Sequence, residues 1–284
     1  MAKPKPVCIT ADSTCDLPKE LLRRFDIRTI PLTIIYGEES WKDGVDITRD
    51  DMYRHYRAGR LLPQTSAPSV QEFLDFFTPI VEAGYEIVHL DISSELSNSY
   101  NAARLAAAEL GGVYVVDSRH LCCGLGLLAI EGAECRDGGL PAKIIAEHLR
   151  ALIGKVETSF VLDTLEFMQK GGRCSNLAVL GANLLRLKPA LEMSGGKLVV
   201  YKKYRGSIEQ AAKQYIRERL SGKKIRTGHI IVADSGDIDK ALLKEICELI
   251  RSLVPVRELH HADAGCTISA HCGPKTVAVF FINE

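Results

Sequence analysis

The stretch EIVHLDISSELSNSYNAARLAAAELGGVYVVDS, residues 86–118, decides the fold. EIVHLDIS (86–93) and VYVVDS (113–118) are short, rich in β-branched residues and end in polar groups, as strands do, whereas the alanine-rich LSNSYNAARLAAAEL between them reads as a helix. A hairpin needs only a few linking residues, but parallel strands need a crossover of helical length. The unit therefore predicts a parallel sheet with helices on its faces.

Working outward, the first half repeats the pattern. VCITAD (7–12) is a strand, and Asp16-Leu17-Pro18 opens a helix, with Asp16 as its cap and Pro18 in the first turn. IPLTIIY (30–36) is a further strand, followed by a short helix after Thr48 and a long one from Ser69 to about Ala83. Two helices fill residues 119–154. The second half is organised differently. A strand at VETSFVLDT (156–164) leads to a short helix, the loop KGGRCS, a helix from Asn176, and two strand-like runs joined by a hairpin turn at Gly195-Gly196. Helices at 207–220 and 237–253 and strands HIIVAD (229–234) and VRELHH (256–261) complete it. The expectation is an α/β protein in two parts. Residues 1–155 form an α/β domain on a parallel sheet, and residues 156–284 an α+β domain on a mostly antiparallel sheet.

The composition excludes several classes. With 46% hydrophobic and 25% charged residues the 284-residue chain can bury a real core, and zero net charge with a pI near 7.1 gives no reason to expect a nucleic acid partner. No run approaches the ~20 apolar residues of a membrane span, and MAKPKPVCITADST lacks a signal-peptide core, so the expected location is cytoplasmic, without stable membrane insertion. Nine cysteines with no C-x-x-C pair fit neither a disulfide framework nor a zinc ribbon, and are expected reduced and mostly buried.

Polar clusters recur where strands should end: Asp12-Ser13-Thr14, Gln64-Thr65-Ser66, Ser93-Ser94 with Ser97, Asp117-Ser118-Arg119 and Lys170-Gly171-Gly172-Arg173. Ligands of open α/β sheets bind outside the carboxyl ends of the strands, although each such hydroxyl taken alone is more often a helix cap. His271 stands apart, in SAHCGPKTVAVFF (269–281), beside a Gly-Pro break and before a strongly apolar run. A buried imidazole requires a partner. Gly124-Leu125-Gly126 lacks the third glycine of a dinucleotide loop and reads as helix interior, and no phosphate-binding G-x-x-x-x-G-K or nucleophile-elbow G-x-S-x-G occurs. His260 and His261 would face opposite sides of a strand, which argues against a metal set with Asp263. No catalytic set, metal or cofactor is expected. The alternatives are a hydrolase or transferase with a Ser or Cys nucleophile acting on a lipid-like substrate, and a kinase subunit with its own nucleotide site.

Taken in order, ADSTCDLP (11–18), IPLTI (30–34), TSAPS (65–69), ISSELSNSYNAA (92–103), VVDSR (115–119), DTLEFMQKGGRCS (163–175), KP (188–189), YRG (204–206) and AHCGP (270–274) resemble the DegV family of bacterial fatty-acid-binding proteins. The resemblance implies two domains and one long-chain fatty acid held in an apolar tunnel. It also implies a carrier with no chemistry of its own, which presents the carboxylate to a fatty acid kinase for acyl-phosphate formation. By position, Thr65, Ser97 and His271 match the carboxylate-binding residues, and Arg173 an arginine near the mouth, where a kinase would dock or phosphate transfer be assisted. Ser66, Ser94 and Ser13 are secondary candidates. Two departures stand out. Asn98 replaces the glycine of a usual S-G-T-Y, a mild change because asparagine tolerates positive φ better than most residues, and Lys275 replaces the last glycine of G-P-G and is a further docking candidate.

Overall fold

The computed structural model describes residues 5–173 and 187–284, so the helix expected from Asn176 lies outside the described residues. Strand β1 (Val7–Asp12) leads through a 3-10 turn at Ser13–Cys15 to helix α1 (Lys19–Arg24) and β2 (Ile27–Ile30). There follow β3 (Thr33–Tyr36), β4 (Glu39–Lys42), α2 (Arg49–Arg57), β5 (Gln64–Ser66), α3 (Val70–Glu82), β6 (Glu86–Asp91), α4 (Ser99–Leu110), β7 (Val113–Asp117), α5 (Cys123–Asp137) and α6 (Ala142–Leu152). The remainder comprises β8 (Val156–Val161), α7 (Glu166–Gly171), β9 (Leu187–Ser194), β10 (Lys197–Arg205), α8 (Ile208–Leu220), β11 (His229–Asp234), α9 (Lys240–Leu253), β12 (Glu258–Asp263), α10 (Cys266–Cys272) and β13 (Val277–Ile282).

The opening stretch is the expected strand–helix–strand unit. β6 and β7 pair in parallel across α4, inside a four-stranded sheet of order β2-β1-β6-β7 that is parallel throughout. The second sheet, β10-β9-β8-β13-β11-β12, is antiparallel except between β11 and β12. The helix starts expected at Ser69 and after Thr48 are found, each with a reciprocal capping box: Ser69 with Glu72 on α3, and Thr48 with Asp51 on α2.

Three local readings require correction. IPLTIIY is not one strand. Pro31 has no N–H to give to a ladder, and the chain breaks there into β2 of the parallel sheet and β3, which pairs with β4 and β5 in a small antiparallel sheet. Asp16 does not cap α1, whose N-cap is Pro18. Asp16 sits in the left-handed region at φ 47° and turns its carboxylate to a distant helix. Asn98 has φ −82°, so no positive φ is demanded of it.

That distant helix, α10, has no local signature. CTISAHC carries two β-branched residues and is too short to be stable alone. It exists because carboxylates from the first half of the chain cap it: Asp43 accepts from the N–H groups of Cys266 and Thr267, both at 2.9 Å, and Asp16 from Gly265 at 3.0 Å.

Helix α5 is the other link. It is buried along most of its length and packs on both β1 and β8. A Cβ on Gly124 would lie 2.0 Å from Thr158 Oγ1 of β8, and one on Gly126 would lie 2.7 Å from Leu17. These glycines allow close approach and hold no cofactor loop. β13 shows strand alternation at its clearest: Val277, Val279 and Phe281 pack under α8 and α9, while Ala278 and Phe280 face the opposite way. No described helix is long and apolar enough to cross a membrane. The eight described cysteines are all free, and six are buried.

Candidate functional site

Ala278 and Phe280 face a cavity of about 680 Å³, within the range of about 300–1,000 Å³ usual for small-molecule sites. Phe160, Leu198 and Ala233 extend the same sheet wall, and Ile92, Leu96, Leu121, Met168 and Ile268 close it from the helical side. Leu105, about half exposed, also contributes to the lining. Most of the wall is hydrocarbon, with a minority of polar side chains.

Three of the polar residues in the lining, Thr65, Ser97 and His271, come from separate parts of the chain, and Asp234, Ser235 and Thr276 add further polar groups. Thr65 is placed by β5, where it pairs with Ile34. Ser97 stands just ahead of α4, and His271 in the last turn of α10. His271 Nε2 lies 3.0 Å from Thr65 Oγ1. Ser97 Oγ accepts the Ser99 N–H at 3.2 Å, which leaves its own proton free to donate, next to unpaired amides at the start of a helix. Thr267, one helical turn before His271, also lines the cavity, with a buried hydroxyl that has no partner among the described residues. Sequence reading missed Thr267, because the T-x-x-x-H spacing means one face only if the segment is helical.

The second nitrogen of His271 is the unusual feature. Among the described residues Nδ1 is buried without a partner, and a Cβ on Gly171 would fall 2.2 Å from it. Gly171, read from sequence as part of a flexible arginine loop, is thus the floor on which the imidazole rests. Burial, reinforced by the Arg173 charge, lowers the His271 pKa to about 4, so the ring is neutral at neutral pH.

The remaining sequence candidates divide. Ser66 and Arg173 line the cavity, Arg173 being exposed and donating to the Gly171 carbonyl at 2.8 Å. Ser94 and Ser13 are not in its lining. Ser94 donates to Asp117 at 2.5 Å, and Ser13 accepts the Leu32 N–H at 3.0 Å, so both hydroxyls are occupied in holding loops. Lys275 is exposed, outside the lining, and in the left-handed region at φ 61°. Beneath the site lies a buried polar layer in which Ser99 donates to Asp91 at 2.6 Å and Asp12 accepts the Ile92 N–H at 2.7 Å. Burial and nearby Asp91 push the Asp12 carboxyl upward.

The arrangement suits binding better than nucleophilic attack. Among the described residues no carboxylate meets the second nitrogen of His271 to orient it, as a triad base requires. Burial raises the Cys272 thiol to about 12, which keeps it protonated and unreactive. As strand alternation requires, His261 turns to Asp234 at 2.7 Å, whereas His260 turns to His229 at 3.1 Å.

Comparison with known proteins agrees with this architecture. A family model described as an uncharacterised protein of the DegV family matches residues 6–284. A DegV domain-containing protein of Clostridium perfringens is 30% identical over 279 residues, covering 97% of this chain and 98% of its own. A DegV-family protein of Thermus thermophilus, described for its fatty acid binding, matches with TM-score 0.88 and 28% identity over 98% of this chain and 100% of its own. A stearic-acid-binding protein of Eubacterium ventriosum gives TM-score 0.82 and 28% identity over 97% of both chains. With a whole-length fold match and the DegV segments in order, this chain belongs to the DegV family.

Proposed function

We propose that the protein is a cytosolic carrier that binds one long-chain fatty acid and presents its carboxylate to a fatty acid kinase for acyl-phosphate formation. The observation that carries the reading is a mostly apolar cavity wall that also holds Ser97 and the paired Thr65 and His271. In this reading the neutral His271 donates Nε2–H to Thr65, whose hydroxyl is then free to donate to the carboxylate together with Ser97 and the amides opening α4. Arg173 supplies positive charge at the mouth, and Lys275 contributes to docking. The ligand lies between the two domains, 1–155 and 156–284.

The energetics favour the tail. At about 0.8 kcal/mol per buried methylene a long chain offers on the order of 10 kcal/mol before ordering costs, against roughly 1.5–3 kcal/mol for each charge-assisted hydrogen bond. Affinity then resides in the cavity wall, and orientation in the polar cluster. The test is mass spectrometry of the denatured protein after purification from bacteria. About one long-chain fatty acid per chain is expected, most of it lost in the Ser97→Ala, His271→Ala double variant. Wild-type protein that carries none and takes up none when it is added would overturn the reading. Stoichiometric labelling of one Ser or Cys by activated esters would instead favour the hydrolase.

A further inference from the structure

Away from the cavity, three side chains converge on one face of the six-stranded sheet. β11 and β12 pair with His229 opposite Glu258 and Ile231 opposite His260. Residues two apart on a strand share a face, so Glu258 and His260 project together and the neighbouring strand adds His229. His229 Nδ1 is 3.1 Å from His260 Nε2, which is 3.5 Å from Glu258 Oε2, and the first and last of these atoms are 4.0 Å apart. The product of the three sides over four times the triangle's area puts a common centre about 2.1 Å from each atom. Zinc bonds to imidazole and carboxylate are about 2.0–2.2 Å long.

The surroundings add independent support. The other nitrogen of His229, Nε2, lies 3.2 Å from Glu134 Oε1, the carboxylate-behind-imidazole arrangement that orients metal-bound histidines. The two rings stack at 5.4 Å and Phe25 packs edge-on against His229, so the imidazoles are held in place. Two protonated rings would oppose their N–H groups at 3.1 Å, so at least one is neutral and has a lone pair to give.

Two other clusters are weaker. Between Asp234 and Asp263 the cation seat is taken by the Arg49 guanidinium, 3.7 and 3.0 Å from the two carboxylates. In Glu131–Cys135–His148 the carboxylate is already hydrogen-bonded to His148 at 2.7 Å, and the cluster offers one imidazole rather than two. Glu258 is also approached by an arginine: Arg24 donates to both of its oxygens, at 2.5 and 2.8 Å. A carboxylate offers about four lone-pair positions, so Oε2 keeps one for an ion while Arg24 remains a competing charge.

We infer that His229, His260 and Glu258 form a binding site for one divalent transition-metal ion of the zinc type, with Glu134 as the orienting carboxylate. Three protein ligands leave a fourth position for water, and Glu258 is partly exposed. The test uses the full chain, stripped of metal and titrated with Zn²⁺ against a chromophoric chelator, with Co²⁺ absorption reporting the coordination geometry. One Zn²⁺ per chain and tetrahedral Co²⁺ bands are expected. His229→Ala and His260→Ala should each weaken binding by at least about tenfold, Glu134→Gln by about tenfold, and Arg24→Gln should tighten it. Cys135→Ser with His148→Ala should leave it unchanged. Absence of stoichiometric binding, an affinity indifferent to the two histidines, or loss in the Cys135/His148 variant would overturn the inference. Circular dichroism verifies that each variant is folded, and Arg24→Gln tests the site without removing a ligand.

Discussion

Gly171→Ala isolates the packing on which His271 depends. The added Cβ would stand 2.2 Å from Nδ1 and 3.2 Å from Cγ and Cε1, so one partner has to move by more than 1 Å to reach ordinary contact. Helix α7 cannot easily withdraw. Its Phe167 is wedged against Gly273, where a Cβ would fall 2.7 Å from the ring. The imidazole therefore moves, and its 3.0 Å contact with Thr65 is broken. Overpacking costs about 1–3 kcal/mol and alanine in place of a helical glycine returns about 1 kcal/mol, so the net loss of stability is on the order of 0–2 kcal/mol. Affinity suffers more. Loss of one charge-assisted contact of about 1.5–3 kcal/mol weakens fatty acid binding from about tenfold to somewhat over a hundredfold, read by displacement of a fluorescent fatty acid. Gly172→Ala is the matched control: at φ 67° with nothing within 4 Å, it should lose about 1 kcal/mol of stability from backbone strain and keep its affinity. A folded Gly171→Ala protein that binds within about twofold of wild type would refute the reasoning.

Other perturbations reach the same elements. Asp43→Ala removes both acceptors from the start of α10 and should cost about 1–3 kcal/mol in chemical denaturation, with weaker ligand binding because His271 rides on that helix. Lys275→Gly relieves a left-handed residue and should stabilise by up to about 1 kcal/mol, measured as an increase in Tm. The folded His271 pKa of about 4 lies below the unfolded value near 6.5, so the unfolded state takes up the proton first; the contribution is complete above pH 6.5 and is lost as pH falls to about 4. Over that window wild type should lose at most about 3 kcal/mol relative to His271→Gln. Asp12 acts in the opposite sense, since its raised carboxyl favours the fold as pH falls, but this is common to both proteins and cancels in the comparison.

What the sequence discloses here is what depends on near neighbours. Residues 86–118 carry the parallel unit in their own composition, Ser69 with Glu72 marks where α3 begins, and Gly195-Gly196 marks the turn between β9 and β10. Thr65, Ser97, His271 and Arg173 were named by motif likeness, and all four line the cavity. What stays hidden depends on distance along the chain. α10 is held by Asp16 and Asp43 from more than two hundred residues away, so no local pattern announces it, and Thr267 goes unnoticed with it. Gly171 under His271 joins positions a hundred residues apart. His229 meets Glu258 and His260 only through the register of β11 on β12, a pairing that cannot be read from either strand alone.

The most direct test of the central claim is an NMR titration of His271 in the full chain, with and without bound palmitate. Without ligand the imidazole should titrate near 4. A carboxylate held beside the Thr65–His271 pair favours the protonated ring, so with palmitate bound the titration should move clearly upward, towards the ordinary imidazole value near 6.5. An unchanged His271 titration in protein shown by mass spectrometry to be loaded with palmitate would contradict the account, because the charged end of the ligand would then lie elsewhere.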